Sequence, residues 1–288
     1  MKGIILAAGK GTRLYPITVP ICKPLLPIYD KPLVYYSLAS LMYANIREVL
    51  IIVPPGGIPE FQSLLGDGTE LGMHIEYIEQ LKQRGIADAF ILGKDFIADE
   101  TVCLALGDNI FFGPSFNMKA HEAASNLLNG ATIFGYYVDD PKPFGVVEFD
   151  TTGKAISIEE KPDNPKSNYI VPGLYYYDNS VVDIAKEIKP SKRGELEITS
   201  VNNEYLKYDQ LQVVSLGKEY SWFDAGTAEG LFIASEAVRN EFKNGQRIAY
   251  IEEIAFRNGW INDNKLFEIA EHMKQTEYGQ YLMSLLKQ

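Results

Sequence analysis

Residues Gly3-Ile4-Ile5-Leu6-Ala7-Ala8-Gly9-Lys10-Gly11-Thr12-Arg13-Leu14 form an apolar run that breaks into a glycine-rich loop ending in an arginine. Apolar side chains at every position from Ile4 to Ala7 are the mark of a central parallel strand covered on both faces. Gly9 and Gly11 permit positive φ and let backbone N–H groups close on anionic oxygens, and Arg13 brings a planar fork of donors to the same oxygens. The segment reads as a strand feeding a phosphate-binding loop; a ligand-free tight turn is the plainer alternative. It is not a Walker loop, because Gly9-Lys10 is followed by Gly11 instead of Ser or Thr. Nor is it a dinucleotide fingerprint, because Leu14 stands where the third glycine belongs.

Further apolar runs at 49–53, 75–78 and 102–106 alternate with helical patterns at 33–44, 60–65, 86–93 and 116–128, an α/β rhythm with parallel strands. Asp30 is expected to cap the helix that follows Lys31-Pro32, with Pro32 in its first turn. In such sheets ligands bind beyond the carboxyl ends of the strands, where the loop after Ala7 and Gly107-Asp108 both fall. From Ala131 the pattern changes to alternating strands at 132–138, 144–149, 155–160 and 169–177, which suggests mixed or antiparallel pairing. After Thr227 the chain turns helical, near 228–242, 252–258, 265–273 and 278–286. Asn244-Gly245-Gln246 marks a boundary between a body of residues 1–243 and a helical appendage of residues 244–288. The apolar stripes of that appendage, Ile254 and Phe256, Leu266, Ile269 and Met273, then Tyr281, Leu282, Leu285 and Leu286, must be buried somewhere, either on their own core or at a subunit interface.

Net charge restricts the partners. At −11 over 288 residues the chain is a poor match for nucleic acid or an anionic membrane, both of which reward Lys and Arg clusters. Anionic ligands must therefore meet a local basic pocket, for which Arg13, Lys23 and Lys161 are the candidates. No run of about 18 apolar residues is present. Two cysteines, Cys22 and Cys103, make no disulfide framework, and Met1-Lys2-Gly3 leads into a strand without a signal peptide, so a cytoplasmic location is expected. Lys23 could lower the pKa of the adjacent Cys22 thiol. His74, His121 and His272 lack metal-ligand spacing.

The loop is followed by Lys23-Pro24-Leu25-Leu26-Pro27, and together they resemble the G-x-G-T-R-(x)n-K-P signature of the sugar nucleotidyltransferase family. The similarity runs nearly end to end, through Leu65-Gly66-Asp67-Gly68, Gly107-Asp108-Asn109, Phe144-Gly145-Val146-Val147-Glu148-Phe149, Glu159-Glu160-Lys161-Pro162, Arg193-Gly194-Glu195-Leu196-Glu197-Ile198-Thr199 and Trp222-Phe223-Asp224-Ala225-Gly226-Thr227. The resemblance implies a Rossmann-like, mostly parallel central sheet flanked by helices. Beside it come a mixed sub-sheet for the sugar and the C-terminal helices, with a nucleotide half at about 1–130 and a sugar-phosphate half at about 131–227.

The activity implied is Mg²⁺-dependent transfer of a thymidylyl group from dTTP to glucose 1-phosphate, giving dTDP-glucose and pyrophosphate at the entry to dTDP-rhamnose synthesis. The attacking phosphate is already ionised, so no general base is needed, in keeping with three unclustered histidines. By the same resemblance Asp108 and Asp224 hold Mg²⁺, Arg13 grips the leaving phosphates, Lys23 approaches them from the other side, and Lys161 binds the sugar phosphate. Leu6, Ala8, Gly9, Gly11, Thr12, Gln80 and Gly85 surround the nucleotide, with Gln80 reading the thymine edge. Asn109, Gly145, Glu160, Val171 and Trp222 surround the glucose; an aromatic at 222 could equally belong to the core. A homotetramer inhibited by dTDP-rhamnose at a second site between subunits is implied as well.

Three positions depart from the family pattern. Pro24 replaces a frequent Gln, Ala8 a frequent Gly and Asp88 a frequent Gln; a carboxylate near a triphosphate costs affinity unless it faces away. The alternatives are a pyrophosphorylase using UTP or another sugar 1-phosphate, and a noncatalytic sugar-nucleotide sensor.

Overall fold

The computed structural model describes residues 1–287. The opening apolar run forms β1 (Lys2–Leu6), and a short hairpin of β2 (Pro27–Ile28) and β3 (Lys31–Pro32) leads into α1 (Val34–Tyr43). The chain continues through β4 (Glu48–Val53), α2 (Ile58–Leu65), β5 (His74–Glu79), α3 (Asp88–Leu92) and α4 (Lys94–Ile97). Next come β6 (Val102–Leu106), β7 (Asn109–Phe112) and α5 (Phe116–Ser125). The second half holds β8 (Ala131–Tyr137), β9 (Gly145–Phe149), β10 (Ala155–Glu160), β11 (Tyr169–Ile170), β12 (Leu174–Tyr177), α6 (Val181–Glu187), α7 (Ile198–Lys207), β13 (Leu211–Leu216) and β14 (Ser221–Asp224). Four helices close the chain: α8 (Ala228–Lys243), α9 (Ile251–Arg257), α10 (Asp263–His272) and α11 (Glu277–Leu285).

The main sheet has the order β10-β9-β11-β8-β12-β6-β1-β4-β5, with β13 alongside β8. β6, β1, β4 and β5 run parallel, as the apolar runs of the first three imply; β5, with Glu76 and Glu79, is the half-exposed edge. β12 joins this half to the mixed half by pairing antiparallel with both β6 and β8. Because side chains alternate across a strand, Ile4 and Ile5 enter different cores. Ile5 packs in the cluster that contains Val34, Leu38 and Phe116, and Ile4 in the one that contains Phe90, Tyr177 and Tyr205.

The extended run expected over 169–177 is broken at Val171-Pro172-Gly173. Pro172 has no N–H to give a ladder. The Gly173 carbonyl accepts from Leu106 N at 2.9 Å, and a Cβ added at Gly173 would lie 2.6 Å from the Leu106 side chain. The chain therefore crosses β6 at a distance only glycine allows, and resumes as β12.

Asp30 does not cap α1. The hairpin takes up Asp30-Lys31-Pro32, α1 begins at Val34, and Asp30 bonds Lys31 Nζ at 2.5 Å and the Tyr250 hydroxyl at 2.7 Å. Lys31 is buried between the rings of Tyr36 and Tyr250, and burial lowers its pKa although Asp30 and Glu252 oppose the shift. This contact ties the C-terminal helices to the entrance of α1. Ile254, Leu266, Leu282 and Leu285 lie in the same apolar cluster as Val34 and Leu38, so the stripes of the last helices cover their own chain's core. Each such side chain contributes about 1.5–3 kcal/mol.

Gly173→Ala is expected to lower stability to urea by about 1–3 kcal/mol, since the added methyl overpacks Leu106. A change of under about 0.5 kcal/mol in equilibrium unfolding would show that β6 yields freely at this crossing.

Candidate active site

Parallel pairing of β1 with β6 sets Leu6 opposite Leu106, so the segments leaving both strands start side by side. Gly107 N donates to Leu6 O at 2.9 Å and carries the chain directly to Asp108. Lys23, in the 3-10 turn Lys23–Leu25, is 6% exposed and places Nζ 2.5 Å from Asp108 Oδ2. A buried ammonium needs such a partner, because an unpaired buried charge is costly.

The second aspartate arrives through a separate ribbon. β7 pairs antiparallel with β14 so that Asn109 faces Asp224, and Ala225 N donates to Asp108 O at 3.0 Å. Burial raises the pKa of Asp224, the charge on Asp108 pushes the same way, and Lys23 and Arg13 pull it back. Arg13 stands 3.8 Å from Asp224 Oδ2 and is 65% exposed, so its remaining donors face the cleft opening. A Cβ at Gly226 would come 2.4 Å from the Arg13 guanidinium, the far end of a flexible side chain. The described residues contain no group of three or more His, Cys, Asp or Glu suited to a metal. Two carboxylates from separate segments nevertheless suit Mg²⁺, which uses one or two carboxylates and completes its shell with water and phosphate oxygens.

A cleft of about 1020 Å³ opens beside this pair. Asn109, Gly145, Glu160, Lys161, Val171 and Trp222, the residues expected around the sugar, all line it. Asn109 organises the near wall: it donates to Asp108 Oδ1 at 2.8 Å and accepts at Oδ1 from Gly173 N at 3.0 Å and Trp222 Nε1 at 2.6 Å. Trp222 packs edge-on against Phe144 while it faces the cleft, so it serves both wall and interior. Glu160 accepts from the Thr199 hydroxyl at 2.6 Å. Lys161 adopts φ 45°, a left-handed conformation that costs a non-glycine residue about 1–2 kcal/mol, and its N–H is held by Phe144 O at 3.0 Å. Strain of this kind persists where a side chain must be aimed.

The residues expected around the nucleotide divide. Thr12, Arg13 and Asp108 line the large cleft, whereas Gly9 and Lys23 line a neighbouring hollow of about 230 Å³. Leu6, Ala8, Gly11, Gln80 and Gly85 line neither. Of the two loop glycines only Gly11 is left-handed, at φ 60°, where it packs on Thr18; Gly9 has nothing within 4 Å of an added Cβ and so leaves room beside its backbone. Gly85 is explained within the chain, since a Cβ there would meet Leu196 O at 2.5 Å. Ala8 O accepts from Gln83 Nε2 at 2.6 Å, which joins the phosphate loop to the segment after β5. Gln80 is buried and donates to Asp88, which therefore faces away from the cleft. Cys22 does not have a lowered pKa: Lys23 is committed to Asp108, and burial with the charge of Glu60 pushes the thiol up.

A model for the nucleotidyl transferase family matches residues 2–241. The chain belongs to that family. The glucose-1-phosphate thymidylyltransferase of Neisseria meningitidis serogroup A is 52% identical to this nucleotidyl transferase over 100% of both chains. That of Mycolicibacterium smegmatis is 49% identical over 99% of each. Among solved structures, a Bacillus anthracis protein assigned the same activity and crystallised with sucrose is 42% identical, with a TM-score of 0.77 over 83% of this chain and 96% of its own.

One basic residue of this nucleotidyl transferase escaped the sequence assignments. Arg193 lines the cleft and reaches Glu160 at 3.4 Å, Glu195 at 3.0 Å and Glu197 at 3.5 Å. Its motif was visible, but nothing in the spacing from Lys161 showed that both cations meet at one wall.

The raised pKa of Asp224 has a sign that can be tested. A carboxyl whose folded-state pKa lies above its unfolded value adds stability that is fully present below about pH 4, the ordinary aspartate range, and is lost as pH rises through the folded value. Asp224→Asn should therefore raise the melting temperature of the metal-free protein at pH 7, with the gain fading as pH falls toward about 3.5. A variant no more stable than the parent at pH 7 would contradict this charge balance.

Proposed function

We propose that this nucleotidyl transferase moves the thymidylyl group of dTTP to α-D-glucose 1-phosphate, forming dTDP-glucose. The observation that carries the reading is a single cleft lined by Asp108, Asp224, Arg13, Lys161 and Arg193, with Lys23 paired to Asp108 from the neighbouring hollow. Full-length identity to enzymes that bear this name supports the choice of substrates.

In this reading a phosphate oxygen of glucose 1-phosphate attacks the α-phosphorus of dTTP, the bond from that phosphorus to the bridging β-oxygen breaks, and pyrophosphate leaves with the electron pair. The nucleophile is already ionised, so the protein supplies alignment and charge. Lys161 and Arg193 hold the sugar phosphate, Glu160 and Asn109 take the glucose hydroxyls, and Trp222 closes the floor. Arg13 meets the departing pyrophosphate, with Gly9, Gly11 and Thr12 offering backbone donors. Lys23 keeps Asp108 in place and adds positive charge beside the phosphates. Leu6, Ala8, Gln80 and Gly85 form the base side. Mg²⁺ held by Asp108 and Asp224 would neutralise charge on the reacting phosphates.

The finer organisation belongs to the same reading. The family match to residues 2–241 supports a catalytic body of 1–243 and an appendage of 244–288. A separate hollow of about 430 Å³, lined by Tyr43, Asn45, Asn117, Met118, His121, Glu122 and Asn258, offers space for the dTDP-rhamnose effector of a homotetramer. None of the described helices is long and apolar enough to cross a membrane, and both cysteines are free, in keeping with a cytoplasmic enzyme.

Pyrophosphate release with glucose 1-phosphate, measured across dTTP, UTP, dCTP and ATP, should be fastest with dTTP; a preference of more than about tenfold for UTP would move the chain to the alternative activity. Arg13→Ala should lower kcat at least about a hundredfold with little effect on KM for glucose 1-phosphate, whereas Lys161→Ala and Arg193→Ala should mainly raise that KM. Exchanged phenotypes would reverse the two ends of the cleft.

A further inference from the structure

Asp88 is 1% exposed in the first turn of α3, and both of its oxygens are occupied. Gln80 Nε2 donates to Oδ2 at 2.9 Å and Arg84 NH2 to Oδ1 at 2.6 Å. Backbone bonds hold the surrounding segment: Gln80 N donates to Val53 O at 2.9 Å, Leu196 N to Arg84 O at 2.6 Å, and Ala87 N to Leu196 O at 3.1 Å. Gln80 itself is 4% exposed. Its Oε1 accepts no hydrogen bond among the described residues, yet it is not one of the sealed, partnerless side-chain atoms. Of the buried pair Gln80 and Asp88, flanked by the half-exposed Arg84, the one side-chain oxygen without a partner among the described residues is thus the Gln80 carbonyl, which keeps an outlet to solvent.

A carboxylate only accepts, whereas a carboxamide both donates and accepts. A glutamine or asparagine facing Gln80 could bond it in either amide orientation, one of which would turn N–H outward. Asp88 permits one orientation, and the Arg84 guanidinium balances its buried charge so that the carboxylate adds little repulsion toward an anionic ligand.

We propose that Asp88 is a positioning residue that locks the Gln80 amide with N–H inward and the carbonyl toward the base, so that the site accepts pyrimidines bearing an N3–H, thymine and uracil, and rejects cytosine, whose N3 is an acceptor. The inference rests on Gln80 as the reader of the base edge. It also gives this chain's departure at position 88 a function: the carboxylate is a specificity device held away from the phosphates.

The test is kcat/KM for dTTP, UTP and dCTP at saturating glucose 1-phosphate, for the parent, Asp88→Asn, Asp88→Gln, Gln80→Ala and the Gln80→Ala/Asp88→Asn double variant, each checked for folding by circular dichroism. Asp88→Asn keeps the shape, and Asp88→Gln introduces the residue common at this position, so at least one folded variant is available. Each should lower the dTTP-to-dCTP ratio at least about tenfold through nucleotide KM, with kcat and the KM for glucose 1-phosphate within about twofold and UTP following dTTP. Gln80→Ala should lower the same ratio, and the double variant should add nothing to it. An altered ratio in Gln80→Ala with an unchanged one in both Asp88 variants would overturn the positioning role and leave Gln80 as the reader. An unchanged ratio in Gln80→Ala would remove the reader and the inference together.

Discussion

Two aspartates from distant segments must stand close together at the mouth of a sheet, and the ion pair between Lys23 and Asp108 is what allows it. At 2.5 Å, with the lysine buried, that contact neutralises one carboxylate, while the exposed Arg13 faces the other at 3.8 Å. Removing the aspartate would leave the buried Lys23 ammonium charged and without its partner. The hydrogen-bonded β7–β14 ribbon fixes the arrangement, since it sets Asp224 opposite Asn109. The proposed function depends on these carboxylates staying close together.

The rest of the charge distribution follows the same logic. A chain with a net charge of −11 repels anions at a distance, so its two anionic substrates have to be captured by cations concentrated in one cleft. Arg13 and Lys23 come from the loop after β1, Lys161 from the end of β10, and Arg193 from the segment before α7. The strained backbone at Lys161 is a local cost of bringing a long basic side chain to a fixed point.

Much of this was legible in the residues. Three of the four parallel strands announced themselves as apolar runs, and the motifs gave both aspartates and the six residues expected around the sugar, all of which line the cleft. What escaped depended on tertiary geometry. One extended run over 169–177 is two strands because Gly173 passes close over Leu106, and a contact between β6 and β12 has no local signal. Asp30 looks like a helix cap until Lys31 and Tyr250 claim it. Asp88 read as an unwelcome charge near phosphates, since neither its burial nor its bonds to Gln80 and Arg84 can be seen in the order of residues. The apolar stripes of α9 to α11 were visible, but α1, on which α9 packs, lies some 200 residues earlier in the chain.

The central claim is that one cleft holds sugar, phosphates and metal around Asp108 and Asp224. A crystal grown with dTDP-glucose and Mn²⁺ as a stand-in for Mg²⁺ tests it most directly. The expected result is an anomalous peak beside Asp108 and Asp224, with glucose against Trp222 and Glu160. A sugar nucleotide bound elsewhere, or a metal that touches neither aspartate, would contradict it.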